Sequence, residues 1–162
     1  MIPPIPKYSV PLPPHAGSFG AARKYDRHTG VDLYCDDGQN VSTIADGTVV
    51  GIGQFTGKAV NSEWWEDTWY VMIEHQNIVI LYGELYKPIL PHIRHGEKIR
   101  GNRGIGRVKR VLRKDKGLPM AMLHVEAYEL GYRGEPCYWD LELPQPRYLI
   151  DPTIVLQELV EM

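Results

Sequence analysis

The chain has 162 residues, a formal net charge of -2, 43% hydrophobic and 23% charged residues. That is one ordinary globular domain, long enough to bury a core. The near-neutral charge argues against a nucleic-acid binder, because no global basic field is available to hold phosphates.

Residues 1–14 hold six of the 13 prolines (Pro3, Pro4, Pro6, Pro11, Pro13, Pro14) and read as an extended lead-in, polyproline-like or draped on the surface. Residues 15–162 are read as the domain. The opening run Met1-Ile2-Pro3-Pro4-Ile5-Pro6-Lys7 lacks the unbroken apolar stretch of a signal peptide. No segment approaches the ~20 apolar residues of a membrane span. The chain is therefore expected to be cytoplasmic until released, or to be carried by a phage particle or an export machine.

From Val41 onward the pattern is β. Val41–Ile44 runs into Ala45-Asp46-Gly47, a turn signal, and then Thr48–Gly53. Trp69–His75 and Asn77–Tyr82 read as two strands of a hairpin closed across His75-Gln76-Asn77. Ile99–Val111 is glycine-rich and strand-like, with Gly101, Gly104 and Gly106 as turn glycines. No lysine-serine pair follows them, so a phosphate-cradling loop is not indicated. Met120–Tyr128 alternates, with Met122, His124 and Glu126 on one face and Leu123, Val125 and Ala127 on the other. Only Pro152–Met162 reads as helix, with Asp151 as N-cap and Pro152 at the first helical position. The domain is mostly β with a short C-terminal helix.

His28, four residues before Asp32, and the distant His124 make a three-ligand set for zinc with one position open. Such a site makes hydroxide at neutral pH, so the chain reads first as a metallohydrolase. Spacing alone is weak support, because a single strand histidine is more often structural. Glu126 is read as the outer carboxylate orienting a ligand histidine, against an exposed strand carboxylate. His75 is read as a hairpin-end residue, His92 and His95 as surface residues. Trp64, Trp65 and Trp69 either line a groove wall or pack locally to close a loop. The basic stretch Arg107–Lys116 is a solvated loop or edge, or else a contact for an anionic polymer. Cys35 and Cys137 are read as free thiols, with no support for a disulfide.

A resemblance sharpens this. Ser18-Phe19-Gly20, His28-Thr29-Gly30-Val31-Asp32-Leu33, Gly38, Val41 and Ala45-Asp46-Gly47-Thr48-Val49 follow one another in an order similar to that of the lysostaphin-type (LytM-like) zinc metallopeptidase family. Tyr82-Gly83-Glu84-Leu85 resembles its Tyr-x-His-Leu segment. Gly96–Gly101 with Ile105-Gly106 resembles its glycine-rich turn, and Leu123-His124-Val125-Glu126 the end of its His-Leu-His-Phe-Glu segment. The likeness runs from about Pro11 to Tyr128. Tyr132–Leu149 has no counterpart, and Asp151-Pro152-Thr153 resembles the closing turn.

The resemblance implies a single-domain antiparallel β-sheet or β-sandwich (the duplicated hybrid motif) with the metal in a groove. It implies hydrolysis of the peptide cross-links of bacterial peptidoglycan by water activated on Zn2+, with His28, Asp32 and His124 as ligands. The family's two non-ligand histidines are replaced here, by Glu84 and by Met122. Glu84 can act as general base; Met122 can neither give nor take a useful proton. Tyr82, Arg23 or a backbone N–H would then serve the oxyanion, with Tyr82, Met122 and Glu126 around the ligands or in the groove. The alternative is a catalytically silent zinc-containing peptide- or peptidoglycan-binding module, for example in a phage tail or a wall-enzyme activator complex.

Overall fold

The structure is a computed structural model that describes residues 1–88, 93–115, 117 and 119–162. The readings made for His92 and Lys116 lie outside the described residues. Among the described residues nine strands and one α-helix follow in chain order: β1 (Val31–Tyr34), β2 (Asn40–Ser42), β3 (Gly47–Thr56), β4 (Thr68–Glu74), β5 (Ile78–Leu85), β6 (Lys98–Ile99), β7 (Gly104–Arg107), β8 (Met122–Glu129), β9 (Leu149–Ile150) and α1 (Thr153–Val160). The strands β1-β8-β5-β4-β3-β6 form one antiparallel sheet, and β2-β7 a second, small one. Strand β9 pairs with β8 at Ala127 and Tyr128, beyond the stretch that β1 occupies.

Period-two alternation gives the large sheet two chemically different faces. One carries Val31, Leu33, Leu123, Val125, Val71, Ile73 and Tyr82, packed with Val41, Ile44, Ile105 and the helix residues Leu156 and Leu159. The other carries Tyr70, Met72, Val79, Leu81 and Tyr128, covered by Trp139 and Leu149. Asp32, His124 and Glu126 share this second face with them, by alternation along β1 and β8. Within the proline-rich segment, which has no helix or strand, Ile5 is buried in the first core. Pro4 O accepts from Ser42 N at 2.9 Å, and Tyr8 Oη donates to Leu156 O at 2.9 Å.

Several local expectations change. Ile99–Val111 is not one strand: Ile99 ends β6, β7 covers only Gly104–Arg107, and Gly104 and Gly106 lie in it, while Gly101 N donates to Asp46 Oδ1 at 2.7 Å in the turn between them. The regular helix begins at Thr153, one residue after Pro152, and the Asp151 carboxylate accepts from Thr153 N at 2.9 Å, the side-chain bond expected of an N-cap at Asp151. Cys35 and Cys137 are free. Among the described residues no helix is long and apolar enough to cross a membrane.

Gly30 is dictated by close approach. A Cβ on Gly30 would lie 2.3 Å from Val125 O and 2.9 Å from His124 Nε2. Both belong to the neighbouring strand, whose backbone cannot yield. Gly104 would meet nothing within 4 Å. Gly30→Ala is therefore expected to cost about 3 kcal/mol in urea denaturation, at the high end for overpacking, whereas Gly104→Ala should stay within about 0.5 kcal/mol. Equal losses at both positions would contradict this packing.

Candidate functional site

The site is built on the edge pair of β1 and β8. In their register Asp32 stands opposite His124, so both side chains leave the sheet on the same face. His28 reaches the same point from the turn before β1. All three are buried, at 3%, 7% and 4% exposure. His28 Nε2 lies 3.2 Å from Asp32 Oδ1 and 3.1 Å from His124 Nδ1, and His124 Nδ1 lies 3.0 Å from Asp32 Oδ1. Among the described residues this is the group of His, Cys, Asp and Glu side chains that could hold a metal ion.

Each imidazole is anchored from behind. His28 Nδ1 donates to Ser18 O at 2.9 Å, which turns Nε2 inward. His124 Nε2 is bonded to Glu126 Oε1 at 2.9 Å, which turns Nδ1 inward. Glu126 is itself fixed by Thr29 Oγ1 at 2.6 Å and by the Tyr128 hydroxyl. Such outer bonds orient the rings of a metal site and raise their basicity. Neither Thr29 nor Tyr128 stood out in the sequence. Tyr128 shares a face with Glu126 and was within reach of the alternation argument; Thr29 gave no signal.

The donor set fits a small divalent ion. Tetrahedral zinc with bonds of about 2.0–2.1 Å needs donors roughly 3.3 Å apart. The three distances, 3.0–3.2 Å, are slightly shorter. Burial would lower the His124 pKa, but its hydrogen bonds to Asp32 and Glu126 outweigh that and raise it to about 10. Asp32 is shifted the other way: burial favours its neutral form, yet the charge of His28 and hydrogen bonds from both histidines hold the carboxyl well below the usual range.

Glu84 comes to the site through a β-bulge. Trp69 pairs with Leu85 and Val71 with Tyr82, so Gly83 and Glu84 together oppose the single residue Tyr70. The extra residue puts Glu84 on the face that carries Gly83 and its partner His124, and it takes a left-handed backbone (φ 65°) to do so. Glu84 is 7% exposed, and its Oε2 is buried with no hydrogen-bond partner among the described residues. Burial, then the nearby charge of Asp32, pushes its pKa up to about 8. Positive φ in a non-glycine residue and an unpaired buried carboxylate oxygen both cost stability, a combination typical of functional positions.

Tyr82 departs from expectation. It is fully buried in the first core, on the opposite face, because it precedes the bulge and pairs with Val125. Its hydroxyl accepts from Ile44 N at 3.1 Å and bonds His75 Nε2 at 3.1 Å. It therefore lines no groove. His75 ties the hairpin end to Asp46 O at 2.9 Å and is likewise outside the site. Met122 lies on the site face, opposite Tyr34 in the next strand. Arg23 is exposed, near enough to act electrostatically on Glu84 and Tyr34. Phe55 packs its ring 5.1 Å from that of His124.

The other features lie apart. His95 is exposed and bonds Val50 O at 3.1 Å. Trp64 and Trp65 pack edge to face at 5.9 Å, and Lys87 covers Trp69 at 5.7 Å. Much of the basic stretch is engaged locally: Arg107 lies over Tyr86 at 5.0 Å, Lys109 Nζ donates to Asp67 O at 2.6 Å, and Arg113 pairs with Glu66 at 3.6 Å.

Solved structures share this fold at low identity. The catalytic domain of lysostaphin from Staphylococcus simulans superposes with a TM-score of 0.58 at 15% identity, covering 93% of this chain and 92% of that one. The catalytic domain of EnpA, a prophage-encoded M23 protein from Enterococcus faecalis, gives 0.55 at 17%, covering 86% and 92%. A zinc-containing peptidase from Vibrio cholerae gives 0.56 at 18%, covering 89% of this chain and 40% of that one. No curated protein sequence matches the chain. The sequence profile of peptidase family M23 matches residues 26–136, a span that runs from the turn before His28 past the end of β8 and takes in Asp32, Glu84 and His124. The chain belongs to peptidase family M23.

Proposed function

We propose that the chain is a zinc metalloendopeptidase that hydrolyses the peptide cross-links of bacterial peptidoglycan, with His28, Asp32 and His124 as the metal ligands and Glu84 as general base. The observation that carries this reading is the convergence of His28 Nε2, Asp32 Oδ1 and His124 Nδ1, each ring held from behind. A zinc ion bound there would polarise a peptide carbonyl and acidify a water.

The chain's own groups supply the rest. Asp32 and Glu126 set the charge around His124, and Ser18 and Glu126 fix the rings so that neither has to reorient. Glu84, buried and unpaired at Oε2, is suited to take a proton from water and return it to the leaving amine. Its raised pKa favours holding that proton between the two steps. Met122 in place of an imidazole favours a second reading, in which the same site binds wall peptides without cutting them.

Zinc-loaded protein is expected to carry about one ion per chain by elemental analysis, and none in His124→Ala. Binding must displace the Nδ1 proton of His124, whose pKa stands near 10. Affinity should therefore rise with pH, about tenfold per unit between pH 6 and 8 in a chelator competition. A flat profile would contradict that proton's place.

Purified walls incubated with the loaded protein are expected to release new amino termini, and Glu84→Gln should slow release by about 10²–10⁴-fold. Release by neither protein would leave the binding reading. In the metal-free protein the sign is opposite for stability. The folded pKa of Glu84 is raised from 4.5 to about 8, so its contribution is intact below pH 4.5 and lost as pH climbs through 8. Glu84→Gln should therefore gain on the wild type in melting temperature as pH rises from 5 to 9; parallel curves would show that the carboxyl is not held neutral.

A further inference from the structure

Position 122 offers a thioether where a proton donor would be useful, and the adjoining strand supplies a phenol. Tyr34 stands opposite Met122 in the β1–β8 register, two residues from Asp32, so its side chain leaves the sheet on the face of the ligands. It is half-buried, and its hydroxyl has no hydrogen-bond partner among the described residues. A partly buried hydroxyl without a partner is less stable than the phenylalanine that would fill the same space.

The chain makes room for that oxygen. A Cβ on Gly17 would lie 2.7 Å from Tyr34 Oη and 3.2 Å from Asp32 Cβ, so the phenol oxygen and the root of a ligand side chain flank one point. Gly17 is held there: its carbonyl accepts from Asp32 N at 2.9 Å, and its N–H donates to His15 Nδ1 at 3.0 Å. A cleft of about 240 Å³ opens on the ring, between Ser9, Pro11, His15 and Tyr34. The cleft thus opens on the ring whose hydroxyl stands on the Asp32 side of Gly17.

We propose that Tyr34 is a catalytic residue, donating a hydrogen bond to the substrate carbonyl oxygen as that oxygen gains charge, and that the cleft lined by Ser9, Pro11, His15 and Tyr34 seats the adjoining part of the peptide. This rests on the peptidase reading above. A phenol carries a proton it can donate, and a thioether does not. The contribution belongs to the transition state, because the carbonyl oxygen is a far better acceptor once charged.

The test compares zinc-loaded wild type with Tyr34→Phe, which keeps the ring and removes only the unpaired hydroxyl, so zinc content should not move and the melting temperature should not fall. Release of amino termini from purified walls is expected to fall about 10²–10³-fold. Binding of inorganic phosphate, a tetrahedral oxyanion, should weaken about tenfold by calorimetry. Met122→His added to Tyr34→Phe should recover at least tenfold of the lost release, since it returns a donor to the same place. Wild-type release and wild-type phosphate affinity in Tyr34→Phe would overturn the proposal and leave the peptidase reading standing. If the wild type releases nothing, that reading fails; the phosphate arm then decides alone, weaker binding in Tyr34→Phe upholding the donor and unchanged binding overturning it.

Discussion

The cross-strand pair of Asp32 and His124 is the constraint on which the site depends. Two residues facing one another in an antiparallel register cannot be moved apart without breaking the ladder. The strands hold a carboxylate oxygen and an imidazole nitrogen 3.0 Å apart at low exposure, and the turn before β1 brings a second imidazole to within 3.2 Å of both. Buried charge of this density is unfavourable unless paired. The close contacts among the three side chains and the bonds that hold each ring from behind supply that pairing.

The rest of the machinery is arranged around that pair by sheet geometry. Alternation on β8 places Glu126 two residues on, where it braces His124 and is itself braced by Thr29 and Tyr128. The bulge on β5 interrupts alternation at one point and brings Glu84 round to the same face. Tyr34 follows Asp32 by the same period of two on β1. One face of the sheet therefore carries an apolar core, and the other combines apolar packing with the polar centre. The large first core gives the strands the rigidity that precise placement of the donor atoms requires.

Much of this was legible in the sequence for identifiable reasons. Met120–Tyr128 alternates without interruption, so its phase, and hence the shared face of Met122, His124 and Glu126, could be read directly. The β4–β5 hairpin was marked by β-branched runs on either side of a polar turn. The three side chains that meet at the site, His28, Asp32 and His124, were singled out through residue type and spacing, strengthened by resemblance. What escaped was set by tertiary pairing. Glutamate carries no signal for a left-handed backbone, so the bulge was invisible, and Tyr82 was assigned to the groove although it precedes the bulge and faces the core. Gly101, Gly104 and Gly106 were all read as turn glycines, but only Gly101 lies in a turn and the other two lie in β7, because glycines in a turn and glycines in a strand look alike without their neighbours. Ile5 shows the same limit: proline context suggested an extended lead-in, yet Pro4 and Ile5 are buried, and Tyr8 and Val10 pack against the core.

X-ray absorption at the zinc edge of the loaded protein tests the central claim most directly. The account expects two imidazole nitrogens and light oxygen donors at about 2.0–2.1 Å, with one imidazole lost in His28→Ala. A sulfur scatterer at about 2.3 Å, or a shell of oxygens without imidazole, would mean that zinc binds elsewhere and that the meeting of His28, Asp32 and His124 serves some other purpose.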